Sequence, residues 1–210
     1  ANYAAIMPFA FIRDLQNPQL MFNSERQWYG ERREGVKQYI ETLHKNDIKI
    51  MLKPQIWISR GEFTGYLKMP SERDWETLER SYRDFIMLYV NLAVEEEVAI
   101  FCIGTELEQF IVNRPDFWHE LIAEIKKVYK GKLTYAANWD EFKRTPFWSD
   151  LDYIGIDAYF PLTEEKTPSV DASVKAWESH KAIIKSHSET FGKPILFTEY
   201  GYRSIDYAAK

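Results

Sequence analysis

The amino-acid sequence predicts an α/β protein built on a parallel sheet, of the (β/α)8 TIM-barrel type. Short apolar runs alternate with longer amphipathic segments along the 210 residues, a pattern typical of repeated strand–helix–strand units. The apolar runs are continuous rather than alternating in polarity, as expected for strands covered on both faces. No Pro/Gly/Ser-rich linker divides the chain, so residues 1–210 are predicted to form a single domain.

The apolar runs predict six strands, at 3–9, 48–52, 98–103, 132–137, 153–159 and 194–199. The amphipathic segments between them predict four helices, at 34–46, 71–94, 114–131 and 172–190. Ser71, followed by Asp74, is expected to cap the second helix. Pro115 near the start of the third helix and Gly131 just past its end fit the usual preferences at helix termini.

Composition excludes several classes of protein. Hydrophobic residues make up 45% of the chain and aromatic residues 16%, enough for a sizeable core, into which most of the aromatic rings are expected to pack. The net charge is −5 and the basic residues are scattered, so no nucleic-acid partner is predicted. No stretch approaches the roughly 18 apolar residues that a membrane span requires.

Cysteine and histidine usage predicts neither a disulfide framework nor a metal site. The chain has one cysteine, Cys102, and its four histidines have no metal-ligand spacing. We therefore expect no metal and no organic cofactor. The sequence assigns no cellular compartment, and a secreted or periplasmic location would follow only if a leader had been removed.

Carboxylates follow two of the predicted strands. In "AIFCIGTELEQF" (99–110) an apolar run ends in Glu106 and Glu108, and Glu199 ends another run. The carboxyl ends of parallel strands share one edge of the sheet, so Glu106 and Glu199 should face the same cleft. Two carboxylates across a cleft suit glycosidic bond cleavage, provided that one is protonated and the other ionised.

Two alternatives to this pairing stay open at the level of sequence. Glu108 competes with Glu106, which we prefer because it lies closer to the strand end, where the backbone is fixed. Glu108 is then expected to be a residue of the cleft rim or a structural one. Either Glu106 or Glu199 could also form a structural ion pair or cap a helix.

Four motifs together carry a family resemblance: "FCIGTELEQF", "GKLTYAANWDEF", "FWSDLDYIGIDAYFPL" and "KPILFTEYGYRS". They resemble glycoside hydrolase family 113, the (β/α)8-barrel β-mannanases of a large retaining clan, and the similarity extends from about Pro54 to Ser204. The resemblance implies that Glu106 is the general acid/base and Glu199 the nucleophile. One departure is Thr105, where many clan members have asparagine, and it weakens any assignment of how the sugar 2-hydroxyl is held.

The resemblance also implies substrate-binding residues at the strand exits: Lys53, Gln55, Trp57, Asn138, Trp139, Asp157 and Tyr159. Tyr159 would orient the nucleophile. Two structural alternatives stay open, namely that Asp157 only accepts hydrogen bonds from loop backbone and that Trp57 belongs to the core.

The resemblance makes the six predicted strands the second to the seventh of eight. The barrel would then be incomplete within residues 1–210, truncated at both ends, and the chain weakly active or inactive on its own. A complete barrel of this type typically has about 250 residues.

The leading functional hypothesis is a retaining, endo-β-1,4-mannanase-like glycoside hydrolase whose partner is a β-linked glycan, most readily β-1,4-mannan. The alternative is a non-catalytic carbohydrate-binding protein on a degenerate glycosidase barrel, although such a protein would not need both glutamates. A third hypothesis is a barrel lyase or aldolase, for which Lys53 is the only candidate lysine at a strand end.

Overall fold

The computed structural model describes residues 1–210 and contains six parallel strands in one curled sheet, with helices between them. The eight strands of the molecule are β1 (Tyr3–Ile6), β2 (Phe9–Ile12), β3 (Lys49–Leu52), β4 (Gln55–Ile58), β5 (Ile100–Thr105), β6 (Lys132–Asn138), β7 (Ile154–Ala158) and β8 (Ile195–Tyr200). The large sheet has the order β1-β3-β5-β6-β7-β8, and β1 and β8 are its two edges. The predicted α/β fold, a partial (β/α)8 barrel of six strands, is confirmed.

The structure differs from the predicted strands where two prolines interrupt the pairing of β1 with β3. Pro8 and Pro54 have no N–H to donate to the ladder. Beyond them the chain pairs again, with the Gln55 N–H donating to the Pro8 carbonyl at 2.9 Å, and β2 and β4 form a second, two-stranded parallel sheet. Gln55 and Trp57 therefore lie on a strand rather than in a loop, and strand periodicity puts them on the same face.

Five helices accompany the strands: α1 (Arg33–His44), α2 (Glu72–Glu95), α3 (Glu108–Asn113), α4 (Pro115–Val128) and α5 (Val170–Phe191). The predicted cap of α2 is confirmed, because the Ser71 hydroxyl accepts from the Asp74 N–H at 3.2 Å. Gly192 ends α5 in the left-handed region, with φ 61°, where glycine is favoured. The short helix α3 was not predicted; it begins two residues after Glu106.

Aromatic side chains from three helices pack together under the sheet. Tyr82 on α2, Phe110 on α3 and Trp118 on α4 have ring centroids 5.2 to 5.5 Å apart in tilted or edge-to-face arrangements. All three belong to a core of 44 buried residues. Such pairs add to the large apolar area that each ring buries, and so they fix α2, α3 and α4 against β5.

Burial differs sharply between the middle and the edges of the sheet. Every residue of β5 and of β7 is buried, whereas β1 and β8 contain only exposed and intermediate residues apart from the buried Thr198 on β8. The C-terminal ends of all six strands meet at one edge, which is where the candidate site lies. No helix of the structure combines the length and the hydropathy that crossing a bilayer would take.

Candidate active site

Both predicted glutamates lie at the C-terminal edge of the large sheet. Glu106 directly follows the last residue of β5, and Glu199 is the fifth residue of β8. In the register between β7 and β8, Glu199 is paired with Asp157 across a local irregularity of the ladder. The carboxylates of 106, 157 and 199 thus meet in one region, as the strand pattern predicted for the two glutamates.

Glu106 has an unusual backbone and a raised pKa. Its φ is 49°, in the left-handed region that residues other than glycine rarely adopt. The pKa of its carboxyl is raised to about 7, chiefly by burial and then by the neighbouring carboxylates of Asp157 and Glu199, while the ammonium of Lys53 opposes them. A carboxyl with this pKa carries a proton for a large part of the time near neutral pH, as a general acid must.

Glu199 is held by three donors and has a lowered pKa. Its Oε1 accepts from the Lys53 ammonium at 2.5 Å and from the Gln55 amide at 3.3 Å, and its Oε2 accepts from the Tyr159 hydroxyl at 2.9 Å. Burial alone would raise the pKa of Glu199, but Lys53 first, and then Tyr159 and Gln55, hold it below the ordinary value. This carboxylate stays ionised at neutral pH, as a nucleophile must.

A buried ion pair lies behind Glu199. Lys53 and Asp157 are 0% and 1% exposed, and the ammonium is 3.2 and 3.3 Å from the two carboxylate oxygens of Asp157. The Thr198 hydroxyl donates to the same carboxylate at 2.7 Å. Burial raises the pKa of Asp157 to about 6, against the opposing effect of Lys53. One ammonium is therefore shared between Asp157 and Glu199.

This ion pair argues against the lyase or aldolase hypothesis. A lysine that forms a Schiff base has to be available as the neutral amine, usually because its pKa is lowered. Burial would lower the pKa of Lys53, but the attraction of Asp157, together with that of Glu199, leaves it above its usual value. Lys53 is therefore a permanent cation whose ammonium is enclosed by two carboxylates.

The remaining predicted site residues lie at the rim, and their side chains form no hydrogen bond with Glu106, Asp157 or Glu199. Trp57 on β4 is 50% exposed and packs edge-on against Phe9 at 6.0 Å. Trp139 packs partly against the core, with its ring 6.1 Å from that of Phe160. The side-chain carbonyl oxygen of Asn138 is buried and has no hydrogen-bond partner.

Glu108, the rival of Glu106, has a different environment. It is the first residue of α3, and its carboxylate accepts from the Arg144 guanidinium at 2.5 Å. Arg144 also contacts Asp140 at 3.2 Å, which completes a small ion-pair network on the surface. The structure therefore favours the structural interpretation of Glu108.

Three polar residues at the site were missed by the sequence reasoning. Thr198 supports Asp157, while Tyr135 and Glu141 form a buried hydrogen bond of 2.6 Å close to Glu106. Glu141 lies within the motif "NWDEF", so its charge near a strand exit was a usable signal. Tyr135 lies inside an apolar strand, where nothing in the sequence separates it from a core aromatic residue.

A recess of about 700 Å³ adjoins the site at Tyr159. Its lining includes the aromatic side chains of Tyr202 and Tyr207 and the basic side chain of Arg203. No group of three histidine, cysteine or acidic side chains lies close enough together to hold a metal ion.

The fold and the paired glutamates are features of the barrel glycoside hydrolases as a class. Residues 1–210 match the sequence model of Glycoside Hydrolase Family 113. The chain therefore belongs to glycoside hydrolase family 113. No match was found among curated protein sequences.

Solved structures share the fold. The GH113 β-mannanase AaManA from Alicyclobacillus acidocaldarius, in complex with ManMIm, superposes with a TM-score of 0.86 at 22% identity over 99% of this chain and 63% of its own. A GH113 β-1,4-mannanase gives 0.80 at 22% identity, over 94% and 60%. A fungal β-1,4-galactanase gives 0.53 at 14%, over 89% and 59%. The chain thus spans about 60% of the length of these structures.

Proposed function

We propose that the chain carries the catalytic centre of a retaining glycoside hydrolase that acts on β-1,4-mannan or its oligosaccharides. The observation that carries the proposal is that two glutamates lie at one edge of the sheet in opposite surroundings, Glu106 at the end of a fully buried strand and Glu199 bound by three donors. The pKa of Glu106 is raised to about 7, chiefly by burial, whereas Lys53 and two further donors hold the pKa of Glu199 below its ordinary value against the effect of burial. Membership of glycoside hydrolase family 113 supports the reaction class.

In the first step Glu199 attacks the anomeric carbon, and the bond to the leaving oxygen breaks as Glu106 donates its proton to that oxygen. The product is a glycosyl ester of Glu199. In the second step Glu106, now ionised, removes a proton from water, and the water oxygen displaces Glu199 from the anomeric carbon. Each glutamate returns to its starting protonation state, so the cycle needs no cofactor.

The surrounding side chains divide into two roles. Lys53, Gln55 and Tyr159 donate hydrogen bonds to Glu199 and keep it ionised and oriented. Asp157 keeps Lys53 in place. Because the Lys53 ammonium is fully buried by these carboxylates, we assign it to the support of the nucleophile rather than to direct contact with sugar.

Sugar binding falls to the residues at the rim. The half-exposed ring of Trp57 and the partly buried ring of Trp139 offer flat apolar faces for pyranose rings. Asn138 is only partly buried and follows the same strand exit as Trp139, so its side chain can contact a sugar hydroxyl. The recess beside Tyr159 provides room for a further sugar unit.

Mannan is proposed as the substrate because two of the similar structures are described as mannanases. Their identity to this chain is 22%, so the sugar and the endo mode of attack rest on the family rather than on contacts seen in this molecule. The products released from mannan, glucomannan, cellulose and xylan would establish both. Mannan should give the fastest release, as oligosaccharides of several lengths.

A covalent trap tests the mechanism with a single turnover. The chain is incubated with 2-deoxy-2-fluoro-β-mannobiosyl fluoride, digested and analysed by mass spectrometry. We expect one adduct per chain, on the peptide that contains Glu199, and no adduct on the Glu199→Gln variant. NMR of the first products of hydrolysis should show the β-anomer.

Two outcomes would overturn the proposal. An adduct on another residue, or initial α-anomer, would contradict the assigned retaining mechanism. Binding of manno-oligosaccharides by calorimetry without any adduct or hydrolysis would favour the non-catalytic carbohydrate-binding alternative.

A further inference from the structure

The backbone of Glu106 is anchored to β6 on both sides of its side chain. The Glu106 N–H donates to the Ala136 carbonyl at 2.8 Å. The next N–H along the chain, that of Leu107, donates to the phenol oxygen of Tyr135 at 2.6 Å. A side chain thus takes the place of a backbone acceptor at the peptide that follows Glu106.

The phenol is itself held by a buried carboxylate. The Tyr135 hydroxyl donates to Glu141 Oε1 at 2.6 Å, and the Asn138 N–H donates to Glu141 Oε2 at 2.9 Å. Tyr135 and Glu141 are 0% and 1% exposed, so neither can contact a sugar in the cleft. Every oxygen of this chain of hydrogen bonds has a partner, which fixes the position of the phenol.

The conformation that the chain of hydrogen bonds supports is an unfavourable one. A non-glycine residue in the left-handed region is strained and persists only where its surroundings determine it. Leu107 is only 1% exposed, so without the phenol its N–H would be buried and unpaired. Its relaxation toward another acceptor would rotate the adjoining peptide and with it the carboxyl of Glu106.

Two other buried tyrosines anchor the chain on β5 and just before it. The Tyr82 hydroxyl donates to the Ile103 carbonyl at 2.8 Å, and the Tyr129 hydroxyl donates to the Val98 carbonyl at 2.7 Å, ahead of β5. Tyr129 resembles Tyr135 in its burial and in its contact with backbone, but it lies at the opposite end of the strand. It therefore provides a matched control for a purely structural role.

We propose that Tyr135 and Glu141 are positioning residues that hold the Glu106 carboxyl in the geometry needed for proton donation. The inference deepens the proposed function and rests on it for the role of Glu106. The anchoring itself rests only on the hydrogen bonds of the native chain. Burial, and then the charges of Glu106 and Glu108, raise the pKa of Glu141 to about 8 against the hydrogen bonds from Tyr135 and Asn138, as expected for a carboxyl enclosed beside other carboxyls.

The first test measures the pKa of Glu106 by NMR with ¹³C-labelled glutamate side chains, with Glu106→Gln used to assign the signal. In the native chain it should lie near 7. In Tyr135→Phe the loosened carboxyl should reach solvent, and its pKa should fall by about one unit toward the ordinary value. Tyr129→Phe should leave it unchanged. An unchanged pKa of Glu106 in Tyr135→Phe would overturn the proposal.

The second test compares two aryl β-mannobiosides that differ only in the leaving group. Phenol needs a proton on leaving and 2,4-dinitrophenol does not, so Tyr135→Phe should lower kcat/KM roughly 10–100-fold for phenol and under about 3-fold for dinitrophenol. Tyr129→Phe should affect both substrates equally, if at all. Equal losses of kcat/KM for the two substrates in Tyr135→Phe would mean that Tyr135 has only a structural role.

The two tests separate this inference from the proposed function. Activated aryl glycosides and the covalent trap detect even a weakly active chain. If the native chain turns over neither substrate and forms no adduct on Glu199, the proposed function fails, whereas the NMR titration still decides whether Tyr135 positions Glu106. Glu141→Gln keeps the volume of the side chain but offers one acceptor oxygen in place of two. Glu141→Gln should shift the pKa of Glu106 in the same direction as Tyr135→Phe. It replaces Tyr135→Phe in the titration if that variant does not fold.

Discussion

The two glutamates lie at the same edge of the same sheet, yet their surroundings differ in kind. Glu106 follows β5, whose residues are all buried, and its side chain accepts no hydrogen bond from the protein. Glu199 lies on β8, an edge strand, where its carboxylate is 29% exposed and bound by an ammonium, an amide and a phenol. Burial without hydrogen-bond donors favours the protonated form of Glu106, whereas three hydrogen-bond donors favour the ionised form of Glu199.

The difference shows that burial alone does not set the protonation state at this site. Burial raises the pKa of both carboxyls, and it is the largest influence on each. The sign of the net shift is decided by the single positive charge of Lys53, which is bonded to Glu199 and only acts on Glu106 from a distance. Removing a carboxyl, or that charge, should therefore affect the two glutamates unequally.

The largest expected effect comes from replacing each glutamate in turn. Glu199→Gln should lower kcat/KM by roughly 10⁴-fold or more for every substrate, because no nucleophile remains. Glu106→Gln should lose about 10²–10⁴-fold on a phenyl glycoside but little in the first step on a dinitrophenyl glycoside. Steady-state kinetics on both substrates measure the difference.

Azide sharpens the same comparison. As an anionic nucleophile that needs no general base, it should restore turnover of the dinitrophenyl glycoside by Glu106→Gln and release a β-glycosyl azide. It should not restore turnover by Glu199→Gln. Reversal of this pattern would exchange the roles of the two residues, and folding of both variants is checked by circular dichroism.

The next effect follows from removing the charge that separates the two glutamates. In Lys53→Met the pKa of Glu199 should rise, because the ammonium that opposes burial is lost. Since the proposed mechanism requires ionised Glu199, the acid limb of the pH profile of kcat/KM should move to higher pH, with a loss of roughly 100-fold at its optimum.

Lys132→Met is the control for this variant. Lys132 forms an ion pair with Asp152 at 2.9 Å, but its side chain is 60% exposed. A surface pair of this kind contributes little, so both limbs of the profile should stay in place. An unmoved acid limb in Lys53→Met would mean that the lysine does not set the ionisation of Glu199.

Much of the fold could be predicted from the sequence, because buried parallel strands leave continuous apolar runs that end where the site begins. The position of Glu106 and Glu199 at strand exits follows from those runs. The split between their pKa values could not be predicted, since it depends on Lys53, which is 146 residues away from Glu199 along the chain. Local patterns contain no information about such a contact.

The same limit explains the strands and the anchor that were missed. An apolar run through Pro8 looks like one strand, although a residue without an N–H interrupts the ladder there. Tyr135 looks like any core aromatic residue until its hydroxyl is found beneath the Leu107 N–H. Both features are determined by partners that are distant in sequence.

The smallest expected effect is on stability, and it should be present at high pH and absent at low pH. The pKa of Glu106 is about 7 in the folded chain, against an ordinary value of 4.5, so the folded state binds the proton more tightly than the unfolded state. The free energy of unfolding should therefore fall as the pH rises from about 4.5 to 7, by roughly 2 kcal/mol once the partial exposure of the carboxyl is allowed for. Glu106→Gln removes this penalty, so it should match the native chain below pH 4.5 and exceed it in stability at pH 8. Urea unfolding at the two pH values measures the difference.

Glu108→Gln, which breaks only the surface pair with Arg144, should change stability by less than about 1 kcal/mol and gain nothing at high pH. A gain for Glu106→Gln that is equal at both pH values would mean that the Glu106 carboxyl is not protonated in the folded chain near neutral pH, and the contrast with Glu199 would be lost.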